Sequence, residues 1–540
     1  MNKFFFPLLL ISLVFIKCKQ KETRQVETPR DTTITIVNSF TDLFLDSSII
    51  DNFLKNKQLD DTAASRIKSF YNSRNYQFAW FIEDGLAEQA RSFWNLYTNY
   101  VNYSRDSSIF DTQLHQQILL LTEDTTINPS NKDIINTELL LTQHFFQYAK
   151  YAYDGRIDPE ELQWHIPRKK VNAVALLDSL VAQKGKNLEE WEPVNDGYHL
   201  IKKELLRYYD IEKNGGWDSI FLNKKKSFKE GDSALIIRKI KKRLFVVNDL
   251  ISADTSHLFT SELSEAVKTA QKRFGLRQNG IVDSILLKAL NVPVEKRIEQ
   301  LLINMERMRW LPQQRDSNRI IANIPEFKLH VYEGDTEVFD MDIVVGKEGN
   351  NTVVFNDQLK YVVFSPYWNV PRSIVKNEIV PGMARNPNYL DRQNMEITGT
   401  YNGLPVVRQR PGGNNALGQV KFIFPNNYNI YLHDTPSKSL FSRQKRAFSH
   451  GCIRLAEPEK MAIYLLRNNP EWTEEKITEA MNSDTEKWVG LKKSVPVFIS
   501  YFTAWVGNDG QLNFREDIYG HDNEMAKRLF TNSFNNNTDK

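Results

Sequence analysis

The sequence predicts a multidomain α+β protein: a helical first half, a small three-helix unit and a β-rich domain carrying a cap insert. Three observations predict it. The 540 residues, at the usual domain size of about 150, suffice for three or four folding units. Apolar residues recur at helical spacing up to residue 292, and from 319 onward they alternate with period two. Hydrophobic residues make up 41% and charged residues 25%, close to globular averages, so the chain can bury cores. Charge and cysteine content then exclude whole classes. The 70 Lys+Arg against 67 Asp+Glu leave +3, too even for a dedicated nucleic-acid binder. Two cysteines, Cys18 and Cys452, are too few for a disulfide framework.

In chain order, Phe4 to Ile16 is almost wholly apolar and is followed by Lys17-Cys18-Lys19. Thirteen residues at about 1.5 Å each reach roughly 20 Å, short of a hydrocarbon core of about 30 Å, so residues 1–18 read as a secretory signal rather than a span. A cysteine just after such a stretch resembles a bacterial lipoprotein processing site, which makes Cys18 the expected point of lipid attachment. Lys17 departs from that pattern, which prefers a small residue there. The rest of the chain is expected to be exported and periplasmic, touching the membrane only through this signal or lipid. Residues 19–44 are polar without an apolar period and read as a tether.

Residues 45–231 read as a helical scaffold domain. Leu141, Phe145, Tyr148, Ala149 and Ala152 follow one helix face and Gly155 stands where a C-terminal cap would, so the aromatics there are assigned to core packing. Residues 232–292 form a compact unit of three helices: one beginning Leu235-Ile236-Ile237, a second with Leu263, Ala266, Val267, Ala270 and Phe274 on one face and Gly275 as its stop, and a third with Leu286, Leu287 and Leu290. Glu265 to Leu276, followed by Asn279-Gly280-Ile281-Val282, resembles the peptidoglycan-binding module of cell-wall enzymes; an amphipathic spacer without a ligand is the other reading. Residues 293–318 read as a linker helix. Strands are expected at Arg319–Ile324, Lys328–Tyr332, Val338–Val345, Tyr361–Phe364, Tyr431–Leu432 and Val495–Tyr501, with a helical insert over 457–482. The domain is bounded at 319–505. Residues 506–540 read as a C-terminal tail in which Asn508-Asp509-Gly510 closes a hairpin and Asn535 to Lys540 frays.

The chemistry concentrates in His433-Asp434-Thr435-Pro436 and Ser449-His450-Gly451-Cys452-Ile453-Arg454. A thiol with a pKa near 8.5 is only slightly ionised at neutral pH, so a nucleophilic cysteine needs a base in reach and donors for the developing oxyanion. His433 and His450 are both candidate bases. Gly451 lets backbone approach closely, which makes the amides of 450–452 candidate oxyanion donors worth about 3 kcal/mol each.

A histidine, fifteen intervening residues and then Ser-His-Gly-Cys resembles the active-site motif of the L,D-transpeptidases, the YkuD-type catalytic domain. Val344-Val345-Gly346-Lys347 with Thr352, Ser365 to Pro371, Asn414 to Gly418 and Ile430 to Pro436 agree with it. Together with the helical domain and the binding-type module they are similar to the long, multidomain branch of that family. The resemblance implies a Cys452 nucleophile that attacks the third residue of a peptidoglycan stem tetrapeptide, releases D-alanine and passes the acyl group to the amine of another stem, giving a 3–3 crosslink. It implies His433, rather than His450, as the base, oriented by the backbone carbonyl of Asp434, so that the Asp434 side chain need not complete a triad. Ser449, His450, Gly451 and Asp434 would then support the loop and oxyanion site.

Arg454 would pair with a substrate carboxylate, a structural ion pair being the alternative. Tyr367 and Trp368 would belong to a cap over about 365–415, simple packing being theirs. Exchange of one amide for another needs no ATP, metal or organic cofactor, and no G-x-x-x-x-G-K-[ST] occurs. The expected partners are donor and acceptor stems and, through 232–292, the wall polymer. Competing readings are an L,D-carboxypeptidase or hydrolase whose acyl-enzyme is resolved by water, an inactive wall-binding scaffold, and a zinc site on His433, His450 and Cys452.

Overall fold

The computed structural model describes residues 27–121, 127–128, 130–166, 170–222, 226–311 and 318–530. The expected signal over 1–18 with Cys18, and the tail beyond 530, lie outside the described residues. Two compact units result. Of the described residues, the first holds those up to Tyr97 with Ile109–Tyr148 and Asn172–Leu188, and the second holds Thr98–Ser108, Ala149–Val171 and everything from Glu189 onward. The 45–231 stretch is therefore divided between them. Among the described residues no helix is long and apolar enough to cross a membrane.

In the first unit, the helices Ser47–Lys57 and Asp61–Ser73 start where Asp46 and Asp60 accept the backbone N–H of Ser48 and Ala63. The expected aromatic core is present, with Trp80, Phe93 and Phe145 within 5.2 to 6.2 Å of one another, centroid to centroid. The buried Glu138 carboxylate accepts from Ala79 N at 2.6 Å, Trp80 N at 3.0 Å and Tyr71 Oη at 2.8 Å. Burial pushes its pKa up to about 7 against the pull of those donors. The stretch expected as an unpacked tether is tied down from Thr28, whose N–H reaches Ser69 Oγ at 3.2 Å. Asp31 N follows to Asn72 O at 2.9 Å, and Leu43 O accepts Phe78 N at 2.9 Å. The polar composition hid this because the ties run through the backbone.

The second unit begins its three-helix module with Leu235–Val246, Ser261–Arg273 and Ser284–Leu290. The Thr260 and Asp283 side chains cap the last two, Gly275 turns at φ +66°, and Ile237, Ile240, Leu263, Val267, Leu286 and Leu290 share one core. The helix Val294–Arg309 exists as expected but is no linker. It is buried on several sides, and its Glu306 carboxylate accepts Ile157 N at 2.8 Å and pairs with Arg309 at 2.6 Å.

The β-domain consists of β1 (Asn318–Asn323), β2 (Lys328–Glu333), β3 (Thr336–Gly346), β4 (Phe355–Phe364), β5 (Trp368–Asn369), β6 (Met395–Tyr401), β7 (Leu404–Gln409), β8 (Val420–Ile423), β9 (Leu432–His433), β10 (Ala447–Ser449), β11 (Ile453–Leu455) and β12 (Lys487–Ser500). The main sheet runs β10-β3-β11-β9-β8-β4-β12-β1-β2, and β3 also pairs β2, so the ladder closes on itself. Alternation fills its inside with Ile320, Leu329, Val331, Val362, Leu432 and Ile453, each fully buried. The cap is a separate sheet in the order β5-β7-β6, packed with short helical turns around Val370, Ile374, Val375, Ile379, Met395 and Val407. The expected insert forms the helices Pro458–Leu466 and Glu474–Met481.

Within the stretch expected as a C-terminal tail, residues 506–530 are packed. β13 (Ala504–Val506) and β14 (Leu512–Phe514) form the hairpin that Asn508-Asp509-Gly510 announced, and the helix His521–Leu529 follows. The hairpin is fastened by Arg273 Nε to Leu512 O at 2.6 Å, Arg515 Nη1 to Arg273 O at 2.7 Å and Lys272 Nζ to Asp509 Oδ2 at 2.7 Å.

Candidate active site

β9 and β11 lie side by side and parallel, with His433 opposite Arg454 and Leu432 opposite Ile453. Because side chains alternate along a strand, Leu432 and Ile453 face the core, whereas Tyr431, His433, Cys452 and Arg454 share the other face. Cys452 immediately precedes β11, two residues before the Arg454 that lies opposite His433, and so sits diagonally from His433.

His433 is buried, and its Nδ1 faces the Asp434 carbonyl oxygen at 2.5 Å. Nδ1–H donates there, so Nε2 carries the lone pair. Burial, reinforced by the nearby Arg454 charge, pushes the imidazole down to about 4, leaving it neutral and able to accept a proton. Cys452 is half-buried. Burial pushes its thiol up, opposed by the Tyr431 backbone N–H and hydroxyl and by the Arg454 charge. The thiol also donates to Asn429 O at 3.5 Å.

The Asp434 carboxylate turns away from the imidazole. Its Oδ1 pairs with Lys438 Nζ at 2.7 Å and its Oδ2 accepts Gln419 N at 2.9 Å. Gly418 lies so close, at φ +63°, that a Cβ there would meet Asp434 Oδ2 at 2.3 Å. The loop chemistry is similarly committed. The Ser449 hydroxyl donates to Cys452 O at 2.5 Å and accepts Gly451 N at 3.1 Å, so the Gly451 amide is engaged inside its own turn. Thr352 Oγ1 accepts Gly346 N at 2.9 Å and donates to Gly451 O at 2.8 Å, and Gly451 itself adopts φ +120°. His450 is exposed, with Nε2 3.7 Å from Glu378 Oε1 of the cap.

Arg454 is half-buried. Its Nε is buried without a hydrogen-bond partner, and among the described residues no carboxylate pairs with it. Its charge stands at the face that holds the thiol. Trp368 packs on the cap core, and Tyr367 lies under the Arg408 guanidinium at 4.0 Å.

Sequence reasoning left out Tyr431 and Asn429. Tyr431 was detectable, since two residues before His433 in a strand means the same face; the aim of the Asn429 carbonyl had no sequence signal. Elsewhere, His330, Glu337 and Asp340 gather donor atoms within 4.8 Å. His330 bonds Glu337 at 2.7 Å through Nδ1 and Glu326 at 3.1 Å through Nε2. Burial works to lower its pKa, but the two carboxylates outweigh it and raise it to about 10. With a carboxylate on each ring nitrogen, the group as it stands is an ion-pair network centred on His330. A crevice of about 1710 Å³, lined among others by Lys272, Phe274, Tyr332, Phe441, Arg446 and Trp505, contains neither His433 nor Cys452.

Residues 317–478 match the family described as the L,D-transpeptidase catalytic domain, YkuD. These residues form an L,D-transpeptidase catalytic domain. Ahead of it, residues 65–205 match the Scaffold domain and 237–290 the family described as "Putative peptidoglycan binding domain". A curated protein of Haemophilus influenzae, named "Putative L,D-transpeptidase", is 32% identical over 242 residues, 42% of this chain and 49% of the relative. The chain thus spans about half the length of the curated relative it matches. Solved structures similar to it include an L,D-transpeptidase from Mycobacterium smegmatis, at 12% identity over 34% of this chain and 58% of that one with a TM-score of 0.20. Another is the L,D-transpeptidase from Stackebrandtia nassauensis, at 13% identity over 52% and 97% with a TM-score of 0.23.

Proposed function

We propose that the protein is an exported enzyme that forms 3–3 crosslinks in peptidoglycan through a thioester on Cys452. The observation that carries the reading is a buried, neutral His433 whose Nδ1 is fixed by Asp434 O, on the same strand face as the Cys452 thiol. His433 Nε2 takes the thiol proton, and sulfur attacks the carbonyl carbon of the third stem residue. As the tetrahedral intermediate collapses, the imidazolium returns that proton to the amine of the departing D-alanine, leaving the acyl-thioester. The side-chain amine of a second stem then attacks the thioester, His433 accepts its proton, and Cys452 leaves as thiolate to be reprotonated. Donors for the oxyanion are sought at the Tyr431 and Cys452 amides, since the Gly451 amide is already used. Arg454 holds a carboxylate of the stem. The wall polymer is engaged through 232–292, and the leader with lipid at Cys18 keeps the enzyme at the periplasmic membrane surface.

Incubation with tetrapeptide muropeptides followed by mass spectrometry tests the reading. Crosslinked dimers with free D-alanine are expected, and Cys452→Ser is expected to abolish them. Tripeptides alone would assign the water-resolved carboxypeptidase instead, and full activity in Cys452→Ser would refute the nucleophile.

A further inference from the structure

The turn that receives the Cys452 thiol is unusually well fastened. Asn426 closes it from within: Nδ2 donates to Phe424 O at 2.6 Å and Ile430 O at 2.7 Å, while Oδ1 accepts Tyr428 N at 3.0 Å and Ile430 N at 3.2 Å. Asn429 takes φ +56°, and its carbonyl is the acceptor 3.5 Å from Cys452 Sγ. The outside of the turn is held by stacking. The Tyr428 ring lies on His165 with centroids 4.6 Å apart and 24° between planes, and against Phe355 at 5.0 Å. His165 is itself fixed by its N–H to Val354 O at 2.9 Å and by a parallel bridge to Phe355. A segment far upstream of the β-domain therefore ends on the turn that faces the sulfur.

We propose that the turn Phe424–Ile430 is a clamp that keeps Cys452 a resting thiol, and that Tyr428 and His165 are positioning residues acting on the nucleophile through it. The clamp rests on reading Cys452 as the nucleophile. A carbonyl accepts from S–H but offers only lone pairs to a thiolate, so a fixed Asn429 O favours the protonated sulfur and its present direction. Reaction requires the sulfur to leave this acceptor for His433. The other titratable or charged groups against the sulfur, Tyr431 and Arg454, favour the thiolate, and neutral His433 beside them adds no charge. Burial favours the thiol as well, so the turn's contribution adds to it and grows with how firmly the Asn429 carbonyl is held. Loosening the stack frees the carbonyl and tips the sulfur toward thiolate.

The test is alkylation of Cys452 by iodoacetamide in the full chain, followed across pH by peptide mass mapping so that Cys18 does not contribute. In Tyr428→Leu and His165→Ala the midpoint of the rate–pH curve is expected to fall by about half a unit to one unit, with roughly three- to tenfold faster alkylation at neutral pH. Tyr428→Phe keeps the ring and is expected to keep the parent curve. Unchanged curves in both loosening variants would overturn the clamp, as would a Tyr428→Phe curve shifted as far as that of Tyr428→Leu. His165 is exposed, so His165→Ala decides the matter alone if Tyr428→Leu does not fold. Crosslinking retained in Cys452→Ser would remove the nucleophile reading, while the alkylation curves would still report whether the turn restrains the sulfur.

Discussion

A histidine serves as proton acceptor only over the pH range in which it is neutral, and for His433 burial and the Arg454 charge extend that range downward to about 4. The sign is fixed: a depressed imidazole loses its accepting form only when pH falls through the depressed value. The acid limb of kcat/KM for thioester formation is therefore expected near pH 4 to 5, well below the 6.5 of a free imidazole. Arg454→Ala removes the second cause of the depression and should move that limb upward while raising KM for the tetrapeptide donor; a limb at about 6.5 in the parent enzyme would contradict the assignment. At this scale residue type pointed to Cys452 with His433 or His450 as its base, and the family resemblance, not spacing, supplied the choice of His433 and the carbonyl of Asp434. The sequence was silent on which neighbour takes each loop hydrogen bond. Nothing in Ser449-His450-Gly451 says that the hydroxyl of the first consumes the amide of the third, or that His450 turns to a cap carboxylate.

Elements place these residues through a few fastenings, and Thr352 is one that can be tested. Its hydroxyl joins the end of β3, at Gly346 N, to the turn before β11, at Gly451 O. Thr352→Val keeps the shape and leaves a buried donor and a buried acceptor without partners, a cost of about 1–3 kcal/mol. The expected result is a lowered thermal midpoint together with a roughly tenfold slower acylation at nearly unchanged KM, since the loop is mis-set rather than the substrate lost. Stopped-flow acylation and a melting curve measure both; parent-like acylation would show that the turn holds itself. Period-two alternation made most strands legible, and helical spacing with Gly275 made the module legible. The helix Val294–Arg309 reads as a linker in sequence because its many charges suggest an exposed surface, whereas Arg309 and Glu306 neutralise each other in the interior. Residues 506–530 show only their turn in sequence, because short strands such as Leu512–Phe514 give too few alternations to register.

At the scale of the second unit, the C-terminal hairpin joins the module to the β-domain's supporting helix. Phe514 is buried, lies 5.9 Å from the Tyr208 ring and 6.2 Å from the Phe274 ring, and has the Arg297 guanidinium over it at 4.3 Å. Gln300 reaches back from the helix Val294–Arg309 to Thr503 O and Arg515 O, both at 3.0 Å. The module's Gly275 carbonyl in turn accepts Gln444 Nε2, at 3.4 Å, from the loop that runs between His433 and Cys452. A polymer held by the module would thus be presented at a fixed distance from the Cys452 sulfur, and Phe514 is the apolar centre of the contacts that hold that arrangement. Phe514→Ala leaves a cavity among Tyr208, Phe274 and Arg297 at a cost of about 3–5 kcal/mol. Calorimetry of the parent should show the module melting together with the β-domain, and the variant should split off an earlier transition. The uncoupled variant should still sediment with isolated cell walls while forming fewer crosslinks on them, and soluble muropeptides, which do not need presentation, should react at the parent rate. Equal crosslinking on walls and on soluble stems, relative to the parent, would show that the module's placement contributes nothing to the reaction.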